Sequence, residues 1–177
     1  MEAVAVENVI TACVSVALYV AAGGFLAAGL FLLGKGEPKE LGGMLLALAL
    51  IQTITVGFLI ASGAMLQAIM VTIFAYIWYT FGAALLLGTN FVILAHQLIV
   101  AGVAYAAITA FLATAPPAYF AVMTGSYTLI IFLLAAQIYA GERAPWLPKL
   151  NGWILIIEGF VTVLYPSLAL AFGIPLP

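Results

Sequence analysis

Residues 41–141 of this chain include no aspartate, glutamate, lysine or arginine. A domain that folds in water cannot leave so long a stretch without charged surface, whereas a chain that faces lipid has no need of it. The composition as a whole agrees, with 67% of the 177 residues hydrophobic and 6% charged. In hydrocarbon each backbone N–H and C=O must be paired within the protein, and a helix does this with its own segment. The expected fold class is therefore all-α, a polytopic bundle of membrane-spanning helices. No hydrophilic stretch is long enough for a separate soluble unit, so residues 1–177 read as one transmembrane domain.

A membrane helix needs about 20 apolar residues, and the few turn-forming points divide the chain into spans at 9–33, 41–61, 68–87, 91–113, 118–140 and 150–172. Gly34-Lys35-Gly36-Glu37-Pro38-Lys39-Glu40 ends the first, Ser62-Gly63 marks a weaker boundary after the second, and Gly88-Thr89-Asn90 closes the third. Thr114-Ala115-Pro116-Pro117 cannot continue the fourth helix into the fifth, because proline lacks the backbone donor and restricts the residue before it. Glu2 and Glu7 stand where a secretory leader would carry basic residues, and the following apolar run is too long for one, so it reads as a permanent span. The basic residues test the count independently. Lys35, Lys39, Arg143 and Lys149 all fall between the first and second or the fifth and sixth spans, and cytoplasmic loops carry the Lys/Arg excess. Both loops then lie on the cytoplasmic side, which demands an even number of crossings between them. Four fit and two do not, giving six spans with both termini outside.

Reactive chemistry is scarce. The chain has no aspartate, one histidine (His96) and one cysteine (Cys13), and lacks paired carboxylates, zinc-binding histidine patterns, a nucleophile elbow and a phosphate loop. A lone Cys13 in the first span makes no internal disulfide and reads as a small buried side chain. This reading contains no enzyme, cofactor or metal. A net charge of −2 without a basic patch argues against nucleic acid.

The polar residues that remain suit a lined path for a small solute. Glu158 lies within an apolar run, where a bare carboxylate costs ~2.5–3.5 kcal/mol or more and ordinarily faces a bundle interior or a water-filled route. Glu158, Thr162 and Tyr165 fall at i, i+4 and i+7 and share a helix face. Pro166 should free a backbone carbonyl near Thr162. On the third span Tyr76, Tyr79 and Thr80 lie together while Trp78 points elsewhere, and such amphipathic rings can form a narrow slot whose hydroxyls orient a polar solute. Gln52, Thr55 and Gln137 either line the path or bond between helices, His96 reads as a packing residue, and Trp146 as an interfacial belt residue. Gly23, Gly24, Ala27 and Ala28 let helix backbones approach closely.

Trp153-Ile154-Leu155-Ile156-Ile157-Glu158-Gly159, followed by Thr162 and Pro166, resembles the last helix of the UreI/AmiS family of urea and short-chain amide channels. Leu18-Tyr19-Val20, leading through Gly29 to Gly36-Glu37-Pro38-Lys39, is similar to that family's first helix and short cytoplasmic loop, and Tyr76-Ile77-Trp78 running to Gly88 to its aromatic third helix. The resemblance implies a six-helix protomer of the bacterial inner membrane with both termini outside, a homo-hexameric ring and one pore per protomer. It carries the family's pore glutamate onto Glu158, its nearby tryptophan onto Trp153 and its constriction aromatic onto Tyr76. The chain departs from the pattern in three places. Ala28-Gly29 replaces an Asn-Gly, residues 123–140 offer Tyr127 and Gln137 where tryptophans are expected, and no long histidine-bearing outer loop follows the second span, so acid gating is not expected.

The resulting functional expectation is passive conduction of a small neutral solute, urea or a short amide, across the bilayer. Two other readings stay open. A monocarboxylate channel like the acetate/succinate permeases shares the six-helix hexamer, but their Asn-Pro-x-Pro-Leu-Gly motif is absent and Glu158 would repel a carboxylate unless protonated. A non-transporting assembly subunit would use its polar residues only to hold helices together. The topology is open to direct test by impermeant thiol labelling of single cysteines at Glu37 and Pro177 in a Cys13→Ser background. In intact cells Pro177→Cys should label and Glu37→Cys should not; the reverse pattern would invert the orientation.

Overall fold

The computed structural model describes residues 2–114 and 118–177, with side chains from Val6 onward. It contains α1 (Glu2–Leu32), α2 (Pro38–Ala61), α3 (Met65–Leu87), α4 (Val92–Leu112), α5 (Tyr119–Ala140), a short 3-10 turn (Gly141–Arg143), α6 (Leu147–Glu158) and α7 (Tyr165–Phe172). A wide π-type turn, Gly159–Leu164, joins α6 to α7 without a break in the chain's course, so the two form one sixth span. Among the described residues six helices are thus long and apolar enough to cross a membrane, as the charge parity requires. The expected break at Ala115-Pro116-Pro117 lies outside the described residues.

The helix starts extend past the apolar runs. α2 begins at Pro38 instead of Leu41, because proline suits a first turn and the Glu37 backbone N–H donates to Glu40 Oε2 at 3.3 Å. α6 begins at Leu147, with Pro148 in its first turn. α3 begins at Met65, because the α2–α3 connection is very tight: Gly63, at φ +77, turns the chain while Ala64 N–H reaches back to Leu59 O at 2.9 Å. That paired C-terminal motif explains why the boundary at Ser62-Gly63 is so faint in the sequence.

The helices associate as three antiparallel units, α2 with α3, α4 with α5, and α1 with α6 and α7. Glycine sets the close approaches within two of them. A Cβ on Gly29 would stand 2.7 Å from the Gly152 carbonyl oxygen, and one on Gly152 would stand 2.9 Å from that of Gly29. Gly42 and Gly82 face each other in the same way, at 2.9 and 2.8 Å. Gly24, expected as backbone packing surface, instead gives room to the Trp78 indole, whose Cζ2 lies 3.0 Å from the position of its missing Cβ.

Between the units the ties are side-chain hydrogen bonds, mostly to helix carbonyls. Gln52 Nε2 donates to Ala17 O at 3.3 Å, joining α2 to α1. Tyr105 Oη donates to Met70 O at 2.8 Å, joining α4 to α3, and Asn151 Nδ2 donates to Leu133 O and Gln137 Oε1, joining α6 to α5. Within the third unit, a reciprocal Ser15–Ser167 pair, each hydroxyl 2.8 Å from the other's carbonyl oxygen, clamps α1 to α7. Cys13 is half-buried, and His96 packs against Tyr139 at 5.5 Å with Nδ1 at 2.9 Å from Val92 O.

Neighbouring glycines on α2 offer an internal control. Gly42→Ala places a methyl group against the Gly82 backbone and should destabilise the protein by ~1–3 kcal/mol. Gly43, with open space around its Cβ position, should tolerate Gly43→Ala or gain up to about 1 kcal/mol from helix propensity. Thermal midpoints of the two variants in detergent check the difference; equal shifts would show that the α2–α3 approach is looser than described.

Candidate conduction path

The polar turn at the middle of the last span arises from Pro166. Lacking an N–H and crowding the preceding turn, it leaves carbonyls unpaired that lipid cannot satisfy. Two tyrosines of α5 supply the donors: Tyr127 Oη donates to Thr162 O at 2.9 Å and Tyr119 Oη to Val161 O at 2.8 Å. The freed Thr162 carbonyl expected from the sequence is therefore engaged by Tyr127 instead of standing open. Its acceptance fixes where the Tyr127 ring lies.

That ring belongs to an aromatic partition in the bundle's centre. Phe74 of α3 is the hub, with its centroid 5.1 Å from Tyr127, 5.3 Å from Tyr105, 5.8 Å from Phe25 and 6.1 Å from Trp78. Most of these pairs meet edge-on or tilted, the favoured arrangement for ring quadrupoles. Four helices, α1, α3, α4 and α5, each contribute at least one ring. All five residues are buried, and both tyrosine hydroxyls are bound to carbonyls.

A cavity lies on either side. One of about 530 Å³ opens toward the end of the bundle that holds the lysine-bearing loops, lined by Phe25, Phe31, Phe74, Trp78, Phe81 and Gln137 among others. The second, of about 230 Å³, lies toward the termini and is lined by Val14, Gln52, Gln67, Phe74, Tyr105 and Tyr127 among others. Phe74, the hub, lines both. No Asp, Glu, Lys, Arg or His is among the described residues that line them. Together the cavities form an apolar lumen interrupted by one layer of rings.

The residues singled out from sequence fall mostly outside this lumen. Tyr76 is 51% exposed, its hydroxyl accepting from Gln97 Nε2 of α4 at 3.0 Å, and Tyr79 is 37% exposed, within 3.4 Å of the Thr53 hydroxyl of α2. Thr80 turns its hydroxyl back onto the carbonyls of Tyr76 and Ile77. Trp153 is 58% exposed and Tyr165 44%, the latter's ring meeting Tyr119 at 6.2 Å. Glu158 is half-buried and lines neither cavity; its Oε2 accepts from Thr162 Oγ1 at 2.6 Å. Thr162 alone of the set is buried, and it touches the path indirectly, through the Tyr127 hydrogen bond.

Tyr76, Tyr79 and Thr80 thus lie away from the two cavities, toward which α3 turns its opposite face. Phe74, Ile77, Trp78, Phe81 and Leu85 line the lumen there. Their spacing of i, i+3, i+4, i+7 and i+11 is visible in the sequence as one continuous stripe. Gln137 does line the path while bonding Asn151, and Gln52 lines it while bonding α1. Phe25 and Tyr105 carried no sequence signal beyond being aromatic within a span.

The sequence matches no family model and no curated protein. Among solved structures, the chain is similar to the Helicobacter pylori urea channel in its closed state as determined by cryoEM, with a TM-score of 0.80 at 12% identity over 92% of this chain and 99% of that one. It is similar also to the crystal structure of the urea channel from the same gastric pathogen, with a TM-score of 0.79 at 12% identity over 90% and 98% of the two chains. The six-helix architecture is the fold of that urea channel along almost its whole length.

Proposed function

We propose that this protein is a passive membrane channel for a small neutral solute, urea or a short-chain amide, and that the solute crosses each protomer through the two cavities and the ring layer between them. The observation that carries this reading is the Phe74 partition: one side chain lines both cavities, inside a bundle that shares the architecture of a urea channel. Apolar walls exclude ions because nothing along them replaces a hydration shell, while a small neutral solute crosses at far lower cost. The absence of a cation among the described lining residues disfavours a monocarboxylate permeant. We place the protein in the bacterial inner membrane as a homo-hexamer, with the Lys35–Lys39 and Arg143–Lys149 loops cytoplasmic and both termini outside; the charge distribution and the family resemblance support this arrangement.

In this reading Glu158 acts at a distance. It holds the Thr162 hydroxyl within the wide turn whose carbonyls position Tyr119 and Tyr127. Tyr127→Phe leaves the Thr162 carbonyl without its donor and should cost about 1–3 kcal/mol of stability. Glu158→Leu should destabilise the same turn, so the double variant should lose less than the two single losses combined. Additive shifts in thermal midpoint would separate Glu158 from the Tyr127 bond.

Size selection should reside at Phe74. Stopped-flow shrinkage of proteoliposomes challenged with urea, formamide, acetamide and acetate reads it directly. Wild-type vesicles should pass urea and amides and reject acetate. Phe74→Ala should raise acetamide permeability relative to urea, Phe74→Trp should lower both, and Tyr76→Ala should leave the ranking unchanged. A Tyr76→Ala variant that reorders the solutes while Phe74→Ala does not would return the filter to the outer face of α3.

A further inference from the structure

Two fully buried side-chain polar atoms within the spans have no hydrogen-bond partner among the described residues, Nε1 of Trp78 and Oε1 of Gln52. Their side chains are 5% and 1% exposed. Buried donors and acceptors are almost always paired, and in a bilayer water cannot relieve the exceptions, so two open groups in one small bundle call for a cause. Their positions supply one. Trp78 lines the larger cavity, Gln52 lines the smaller, and Phe74 between them lines both.

The two groups are also chemically complementary. An indole N–H can only donate and a carboxamide oxygen only accepts. Several other polar groups along the path are engaged: Tyr105 and Tyr127 donate to carbonyls, Gln137 Oε1 accepts from Asn151, and the other prong of the Gln52 carboxamide donates to Ala17 O. That last bond turns Oε1 away from α1's backbone. The indole, for its part, lies against the bare Gly24 backbone, where no acceptor meets its N–H.

We propose that Trp78 and Gln52 form the two polar subsites of the conduction path, one on each side of Phe74. Trp78 donates to a solute carbonyl in the loop-side cavity, and Gln52 accepts a solute N–H in the terminus-side cavity. The proposal rests on the channel reading above and narrows it to solutes that carry both groups, ureas and primary amides. Both atoms are covered in the present conformation, and rotation of the indole or of the carboxamide presents them to the adjoining cavity. A planar solute can then leave one partner and reach the next as it passes the rings, so that its desolvation is compensated on both sides.

Single-group variants test this in proteoliposomes with urea and thiourea as probes, because thiourea keeps the N–H groups while its sulfur is a weak acceptor. Trp78→3-benzothienylalanine keeps the bicyclic ring and removes only the N–H; it should lower urea permeability about fivefold, the size of one neutral hydrogen bond, and thiourea much less. Gln52→Met keeps the side chain's length and should lower both probes alike by about fivefold. Urea permeability unchanged in both variants would overturn the proposal, as would an equal loss of both probes in the Trp78 variant. A Gln52→Met variant with a lowered thermal midpoint and wild-type permeability would make Gln52 a strut between α2 and α1, and would overturn it too. Wild-type vesicles that pass no urea at all would refute the channel reading itself, a result distinguishable from any of these.

Discussion

The hydrogen bond from Tyr127 to the Thr162 carbonyl joins the two halves of this structure's logic. On one side it repairs a backbone fault that Pro166 creates and that lipid cannot repair. On the other it holds an aromatic ring edge-on to Phe74 at the bundle's centre. The helix break and the constriction are therefore one construction. Tyr119, bonding the adjacent Val161 carbonyl, holds the same turn from nearer the lipid-facing surface.

Around that point the bundle separates two kinds of adhesion. Within the α2–α3 unit and between α1 and α6, paired glycines bring backbones into contact, where dispersion replaces a hydrophobic effect that lipid does not provide. Between units, side-chain donors reach across to helix carbonyls, as Gln52, Tyr105 and Asn151 do. Such bonds average well under 2 kcal/mol each in membranes, so their value lies in fixing which helix sits beside which.

The architecture was legible in the sequence because its causes are local or additive. The lack of charge over residues 41–141, the placement of Lys35, Lys39, Arg143 and Lys149, and the turn residues fix six spans without tertiary knowledge. The consequence of Pro166 was legible for the same reason, although not the group that would answer it. The lumen was not. In water a helix shows its inner face by being apolar, but in a bilayer both the lipid side and an apolar lumen select the same residues, so the α3 stripe from Phe74 to Leu85 carries no contrast with its surroundings. The eye goes instead to the hydroxyls of Tyr76 and Tyr79, which the fold places on the outer face, bonded to Gln97 and Thr53 of neighbouring helices. Glu158 stands out in the sequence by its intramembrane position, and in the fold its carboxylate accepts from Thr162 and lines neither cavity.

In the proposed channel, the cavities' lack of ionisable lining among the described residues would govern the energetics of transport as well as selection. A neutral solute passing such walls moves no charge through the membrane field, whose leverage is about 2.3 kcal/mol per elementary charge per 100 mV and zero for an uncharged cargo. Under that proposal net flow would follow the concentration difference alone. A cell consuming the solute on one side would set the direction of traffic through this protein by that consumption, without spending either voltage or protons at the membrane.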